Sequence, residues 1–190
     1  MKRFISKGER ERKIKRKQII IGVSLTFLMV LSVLGFALQG SMGNSDENSS
    51  DKVIYNGFEF TYINGFWMIG DFAFRYNPEQ VPDLGFGLKD ATFYQGFPIY
   101  IYSENDEAES EVRVNLGLIA ERVQKACINE EGIECSEELP IKTCEDNFII
   151  IRENNISLIR QENSCVYIEG PEEELVELVD QFLFKILGIK

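Results

Sequence analysis

The feature that most constrains this chain is an uncharged run of 23 residues, 18–40. As an α-helix the run would extend roughly 34 Å at about 1.5 Å per residue, and the hydrocarbon core of a bilayer is about 30 Å thick. It is also longer than the apolar part of a typical cleavable signal peptide. Two small-x-small sites lie near its end, Gly35-x-Ala37 and Ser41-x-Gly43. We therefore expect an uncleaved transmembrane helix over residues 18–40, with signal-peptide cleavage or a buried core helix as the alternatives.

The charges on either side of this run predict its orientation. Residues 1–17 carry nine Lys or Arg and two Glu, whereas residues 41–190 carry eleven Lys or Arg and twenty-nine Asp or Glu. Because bases beside a first span are retained on the cytoplasmic side, we expect 1–17 to be a cytoplasmic segment that contacts anionic lipid headgroups. A nucleic-acid-binding arm is the alternative for this segment. The acidic remainder is expected outside the cytoplasm, where its charge argues against nucleic acid as a partner.

A short polar segment separates the predicted span from the rest of the chain. Residues 41–51, SMGNSDENSSD, are small and polar without apolar periodicity, which is typical of a flexible linker. Asn48 begins one N-glycosylation sequon and Asn155 begins a second, so both are possible glycosylation sites. Residues 52–190 are then long enough for one extracytoplasmic domain with its own core.

Aromatic residues concentrate at the start of this domain, where 15 of the 22 lie between residues 55 and 102. They recur at every second position in 58–62 and in 72–76, which is the period of a β-strand. Turn dipeptides at 64–65 and 70–71 complete the pattern of an antiparallel meander. Its predicted strands are 53–62, 66–69 and 72–76. We expect the rings to form the core of this sheet, with a ligand platform at Trp67 as the alternative.

The rest of the domain combines strands and helices, so the predicted fold class is α+β. The apolar patterns predict a central helix, a second set of short strands and a C-terminal helix that begins near Gly170-Pro171. These elements are a strand at 99–103, a helix at 106–127, strands at 148–152, 156–160 and 166–168, and the final helix through Ile186. Acidic residues crowd the start of each helix, where the helix dipole favours them. A calcium loop at the start of the first helix is the alternative, but the central Gly of an EF-hand is missing there.

All four cysteines, Cys127, Cys135, Cys144 and Cys165, lie within residues 52–190. Outside the cytosol an even set of this kind indicates two disulfides. Three connectivities are possible, and we favour Cys127 with Cys135 and Cys144 with Cys165. A zinc site with four cysteine ligands is the alternative, although the chain has no C-x-x-C spacing.

Several short sequence segments of the domain resemble those of a known kind of protein. YNGFEF, GFW, FRYNP, PIKTCEDN, SCVYIEG and ILGI are spread over residues 53–190. They resemble uncharacterised archaeal small single-pass membrane proteins with an extracytoplasmic α+β domain, and this resemblance implies no activity and no site residue. The basic segment, span and β-containing domain also resemble type IV pilin-like subunits. The chain departs from that pattern because no Gly immediately precedes the apolar run and no Glu occurs early in it.

Composition excludes several chemistries. The chain has no His, so Ser-His-Asp systems, Cys-His systems and His-ligated metal sites are absent. We expect a membrane-anchored extracytoplasmic interaction or structural module with an unknown protein or glycan partner and without cofactor or metal. The alternatives are a pilin-like surface subunit and a carboxylate-dependent glycan hydrolase at the cell surface, because glycoside hydrolysis needs no His. The candidate carboxylates for hydrolysis are Asp71, Asp83, Asp90 and Glu104.

Overall fold

The computed structural model describes residues 20–24, 29, 51–130, 133 and 135–190. The chain divides into two units, Met1–Asn48 and Ser49–Lys190. In the first unit, residues 20–24 and 29 are helical and exposed. The rest of the predicted span, the predicted basic segment and the linker before Asp51 lie outside the described residues. Within the described ranges, no helix combines the length and the apolar composition needed to cross a bilayer.

The second unit begins with an antiparallel meander of four strands. They are β1 (Lys52–Tyr55), β2 (Phe58–Ile63), β3 (Phe66–Ile69) and β4 (Phe72–Phe74). The single strand predicted at 53–62 is therefore wrong, because it is divided into β1 and β2. Asn56 and Gly57 separate them with φ angles of 49° and 85°, the left-handed conformation that a two-residue hairpin turn needs.

The later strands form a mixed sheet and a small separate pair. They are β5 (Pro98–Ser103), β6 (Arg122–Lys125), β7 (Cys127–Ile128), β8 (Ile141–Lys142), β9 (Asn147–Glu153), β10 (Leu158–Glu162) and β11 (Cys165–Gly170). The five-stranded sheet has the order β10-β11-β9-β5-β6, and β7 pairs with β8. Strand β10 is antiparallel to β11, and the other pairings in the sheet are parallel. The strands predicted at 99–103, 148–152 and 166–168 thus belong to one sheet, and the strand predicted at 156–160 is shifted to 158–162 in that sheet.

The central helix is shorter than the sequence pattern predicts. Helix α1 spans Asp106–Leu116, and the predicted helix 106–127 is wrong beyond that point. The side chain of Asn105 caps its first turn by accepting a hydrogen bond from the N–H of Ala108. After Gly117 the chain continues into β6, which pairs with β5. Val123 fits both the helical period and the inward side of a strand, so periodicity alone could not distinguish the two.

Two layers of apolar side chains hold the second unit together. Helix α2 (Leu175–Ile186) follows a 3₁₀ turn at 172–174, and it packs with α1 against Ile99, Ile149 and Val166 of the mixed sheet. The alternate residues Tyr100, Phe148 and Tyr167 form a second cluster with Ile128 and Ile133. The fold is therefore α+β, with an antiparallel four-stranded sheet, a central helix and a C-terminal helix.

Two disulfides fasten the segment that contributes to this second cluster. They join Cys127 to Cys135 and Cys144 to Cys165, the pairs favoured from the sequence, and none of the four cysteines is free. Cys127 and Cys165 are fully buried, and their partners differ, because Cys135 is exposed and Cys144 is half-buried. The two bonds therefore differ in their access to solvent.

This difference predicts an order of reduction. We expect the Cys127–Cys135 bond to be reduced first because reductant can reach Cys135. Loss of the Cys144–Cys165 bond, with a sequence separation of 21 against 8, should cost more stability, about 3.3 against about 2.5 kcal/mol from loop-closure entropy. Graded reduction followed by alkylation and peptide mapping would measure the order. Alkylation of Cys144 and Cys165 before the other pair would contradict it.

The free edge of β4 is bound by side chains instead of another strand. Asn115 of α1 accepts a hydrogen bond from the N–H of Ala73 at 2.9 Å and donates one to the C=O of Ala73 at 2.7 Å. Just past β4, the N–H of Tyr76 donates to Asp180 of α2 at 2.8 Å. Both side chains are fully buried, so they take the place of a neighbouring strand and attach the meander to the two helices.

Replacement of Asn115 tests this attachment. Asn115→Ala leaves a buried N–H and a buried C=O without partners, at about 1–3 kcal/mol each, so we expect a loss of roughly 2–5 kcal/mol in unfolding free energy. Trp67, the only tryptophan, is buried in the meander core and can report unfolding of the detergent-solubilised full chain in urea. The exposed Asn154→Ala is the matched control and should change stability by less than about 0.5 kcal/mol. Equal stability of the two variants would show that the β4 edge does not need Asn115.

Candidate functional site at the junction of α1, α2 and the meander

Three elements bring charged side chains together beside the end of β4. Helix α1 contributes Glu107 and Glu111, which lie one turn apart on one stripe of the helix. Helix α2 contributes Asp180. Arg75 follows directly after β4, and its guanidinium lies over the ring of Phe66 at 4.9 Å. The same contacts that close the β4 edge therefore place three carboxyl groups around one base.

Asp180 is the most deeply buried of these acids, with no exposed surface. Its Oδ2 accepts the hydrogen bond from Tyr76, while its Oδ1 is buried without a partner. Burial raises the pKa of Asp180 well above its ordinary value, and the negative charge of Glu111 raises that pKa further. Both effects favour the protonated form of Asp180.

Glu111 is only 6% exposed, and no hydrogen bond or ion pair to its carboxylate is formed by any described residue. Burial raises its pKa to about 7. The positive charge of Arg75 opposes this rise, and the negative charge of Glu107 adds to it. Glu111 therefore changes its charge near neutral pH.

The other buried acids of the domain are paired with bases. Glu109 is bound by Arg113 at 2.6 Å and by Lys125 at 2.9 Å, and Glu169 is bound by Arg152. Glu111 and Asp180 are the exceptions among the buried carboxyl groups of the described residues. A buried, unpaired acid that keeps its charge is unfavourable for folding, and such groups are more frequent at functional sites than elsewhere.

Glu111 opens into a recess of about 350 Å³, which we call the Glu111 recess. Its walls are mainly apolar and include Phe66, Ala73 and Val114, and Glu107, Ser110 and Arg75 complete the lining. Arg75 and Glu107 also line a second recess of about 600 Å³, the acidic recess, together with Asp106, Glu172 and Glu173. Arg75 is the one base among the described lining residues of both. Together they present negative charge beside an apolar hollow.

This arrangement can bind a charged group or exchange a proton near neutral pH. The described residues contain no group of three or more His, Cys, Asp or Glu side chains placed to hold a metal ion. The Glu111 recess offers a carboxylate beside apolar walls to a ligand.

The structure places the predicted ligand platform, Trp67, in the core. Its side chain is 9% exposed, and its ring centre lies 5.1 Å from that of Tyr62. Little of the ring is left for a ligand. Of the alternating aromatic residues, Phe60 and Phe74 are fully buried in the core, whereas Tyr62 is 40% exposed. The strongly exposed aromatic residues of the described chain are instead Phe86 and Phe97.

The four carboxylates considered for hydrolysis have separate surroundings. Asp83 pairs with Lys185 of α2 at 2.6 Å, and Asp90 accepts from the N–H of Thr92 and caps a 3₁₀ turn. Glu104 accepts from the N–H of Glu153 at 2.7 Å. The fourth, Asp71, is exposed in the turn between β3 and β4. None of these four lines the Glu111 recess or the acidic recess.

Of the two possible glycosylation sites, Asn48 lies outside the described residues. Asn155 is exposed in the turn between β9 and β10. The hydroxyl of Ser157, the third residue of its sequon, donates a hydrogen bond to Glu174. The asparagine is therefore accessible in the folded domain, while the serine hydroxyl is already bound.

Sequence reasoning missed Glu111 and Asp180 as site residues. A sequence signal for Asp180 was present, because eight of the twelve residues of α2, LVELVDQFLFKI, are apolar. A helix that is apolar on nearly all sides has no solvent-facing position for an acid. No comparable sequence signal marks Glu111, because α1 contains several other acidic residues.

Comparison with protein-family models, with curated proteins and with solved structures gives no match. The class of the protein is therefore defined by its own features. These are an α+β domain with two disulfides and a pair of buried, unpaired carboxyl groups beside an apolar recess.

Glu111 makes the stability of the domain depend on pH. Its pKa is about 7 in the fold and 4.5 ordinarily, so the folded state binds the proton more tightly. Stability is therefore lost as pH rises from about 4.5 to about 7, by about 3 kcal/mol in all. We expect Glu111→Gln, which keeps the neutral shape, to exceed the wild type by about 1–3 kcal/mol at pH 8 and to match it at pH 4.

Urea unfolding of the full chain at both pH values, followed by Trp67 fluorescence, measures this difference. Glu121→Gln is the control, because Glu121 is exposed on the surface beside Arg122. It should show no pH-dependent gain. A Glu111→Gln variant that is no more stable than the wild type at pH 8 would mean that the carboxylate is not destabilised by burial.

Proposed function

We propose that this chain is a membrane-anchored module that holds residues 52–190 outside the cytoplasm and binds a protein or glycan partner there. The observation that carries the proposal is the pair of disulfides, which uses all four cysteines. Such bonds persist in oxidising compartments and are rare in the cytosol. The uncharged run 18–40 and its basic flank supply the anchor and the orientation in this proposal.

The outer face of the meander supports binding as the role of the domain. Side chains alternate along a strand, and those that point away from the core include Ile54, Ile63, Phe66 and Met68. Ile54 is 70% exposed and Ile63 is 48% exposed. Ile63 lies opposite Phe66 on this face, and neighbouring apolar side chains of this kind are typical of interaction sites.

Catalysis has less support from the described residues. Three of the four carboxylates considered for glycan hydrolysis hold structural hydrogen bonds or ion pairs on separate elements. A pilin-like role depends on the first 40 residues, most of which lie outside the described part. The proposed module is therefore non-enzymatic.

The orientation can be tested in a bacterial host with an inner membrane. We expect the full chain to remain in the carbonate-washed membrane pellet, because residues 18–40 are long and apolar enough to span. External protease applied to spheroplasts should remove the 52–190 domain and leave the basic terminus protected. A maleimide polymer should modify no thiol before reduction and four after it.

The matched control carries Leu28→Arg and Leu31→Arg in the predicted span. We expect this variant to stay in the cytosol with four reactive thiols, because two central charges make insertion unfavourable by about 5–7 kcal/mol. Recovery of the unaltered chain from the soluble fraction with four free thiols would rule out the proposed function.

A further inference from the structure

We infer that the Glu111 recess binds a primary alkylammonium group, of the kind carried by a lysine side chain or by a free aliphatic amine. This inference rests on the proposed function, because it names the chemical class of ligand that the module would bind. It is carried by the shape of the recess, by the unpaired carboxylate within it, and by the balance of charge around it.

The shape fits a short aliphatic chain. Phe66, Ala73 and Val114 supply apolar walls to a volume of about 350 Å³, which is in the range of small-molecule sites. Val114 is 51% exposed, so the recess communicates with solvent beside it. A methylene stem in contact with these walls would remove apolar surface from water on both sides.

The carboxylate of Glu111 lacks the partner that the other buried acids of the fold have. Glu111 is only 6% exposed and lines the recess, and no described group donates a hydrogen bond to its carboxylate. An ammonium group has three N–H donors and no acceptor. One such group could therefore bind Glu111 and still donate to Glu107 or to the hydroxyl of Ser110, which line the same recess.

The charges around the recess favour a cation over an anion. Glu107 of α1 lines the recess together with Glu111, and Arg75, which directly follows β4, is the one base among the described lining residues. The guanidinium of Arg75 lies over Phe66 without an ion pair to Glu111. A metal ion is not favoured, because the walls are apolar and no group of three potential ligands occurs among the described residues.

Binding should strengthen as pH rises, because the ammonium group needs Glu111 to be ionised. The pKa of Glu111 is about 7 in the unliganded fold, while an alkylamine stays protonated up to about pH 10. The groups that face Glu111 are Arg75, Glu107 and Asp180. With a pKa of about 7, the ionised fraction of Glu111 rises about tenfold between pH 6 and pH 8, so affinity should rise by about the same factor.

The test uses the full chain in phosphatidylcholine nanodiscs and saturation-transfer NMR of the ligand. The probes are butylammonium, the neutral butanol, and two capped tripeptides, Gly-Lys-Gly and Gly-Leu-Gly. At pH 8 we expect saturable transfer to butylammonium and to the lysine peptide but not to the neutral probes. Tighter binding of the lysine peptide would identify a partner protein as the source, and tighter binding of butylammonium a free amine.

Two variants and a control locate the binding. Glu111→Gln should weaken it at least tenfold at pH 8 and remove its pH dependence. Val114→Trp should block the recess while leaving Glu111 in place, and its exposed position makes misfolding no concern. Leu118→Trp, at a residue that is 50% exposed in the turn after α1, should bind as the wild type does.

Two results would overturn the inference: equal binding by wild type and Glu111→Gln, or no saturable transfer to either ammonium probe. Nanodiscs expose both sides of a membrane protein, so this measurement does not depend on the orientation of the chain. If the topology of the chain is wrong, the proposed function fails, but the binding measurement on the Glu111 recess can still be interpreted.

Discussion

The hydrogen bonds of the Asn115 side chain attach the antiparallel meander to helix α1. Asn115 binds both the N–H and the C=O of Ala73, as a neighbouring strand would. It also donates to the carbonyl of Glu111 one turn earlier in α1, at 3.0 Å. The side chain that closes the sheet edge thus fixes the helix turn that carries Glu111. The Glu111 recess exists because a helix, and not a fifth strand, lies beside β4.

The carboxyl groups of Asp180 and Glu111, neither of which is paired with a base, differ in how deeply they are buried. Asp180 accepts a hydrogen bond from the backbone N–H of Tyr76 and has no exposed surface, and burial raises its pKa well above the ordinary value. Glu111 has a pKa of about 7, and its negative charge raises the pKa of Asp180 further. Ionised Glu111 therefore places a negative charge at the recess, where a ligand can reach it.

Local sequence rules were sufficient to predict most of the fold, but they did not predict the candidate site. Period-two aromatics and Asn-Gly turns indicated the meander, although the turn at Asn56 was overlooked, and Gly170-Pro171 indicated the last helix. The end of α1 was mispredicted because parallel pairing of β6 with β5 is a long-range interaction. Asn115 and Glu111 likewise acquire their roles only from contacts with β4, forty residues earlier, which no local pattern contains.

A purely structural explanation does not account for the acid at residue 111. The neighbouring edge of β4 is closed by an amide, Asn115, which needs no proton and carries no charge. Elsewhere in the domain buried acids have bases beside them, as Glu109 has Arg113 and Lys125. Glu111 has no base paired with it, and the positive charge of Arg75 only partly offsets the effect of burial, so the ionised form destabilises the fold. A loss of stability at a recess open to solvent is characteristic of a binding site, where a ligand supplies the missing partner. For a carboxylate, that partner is a cation.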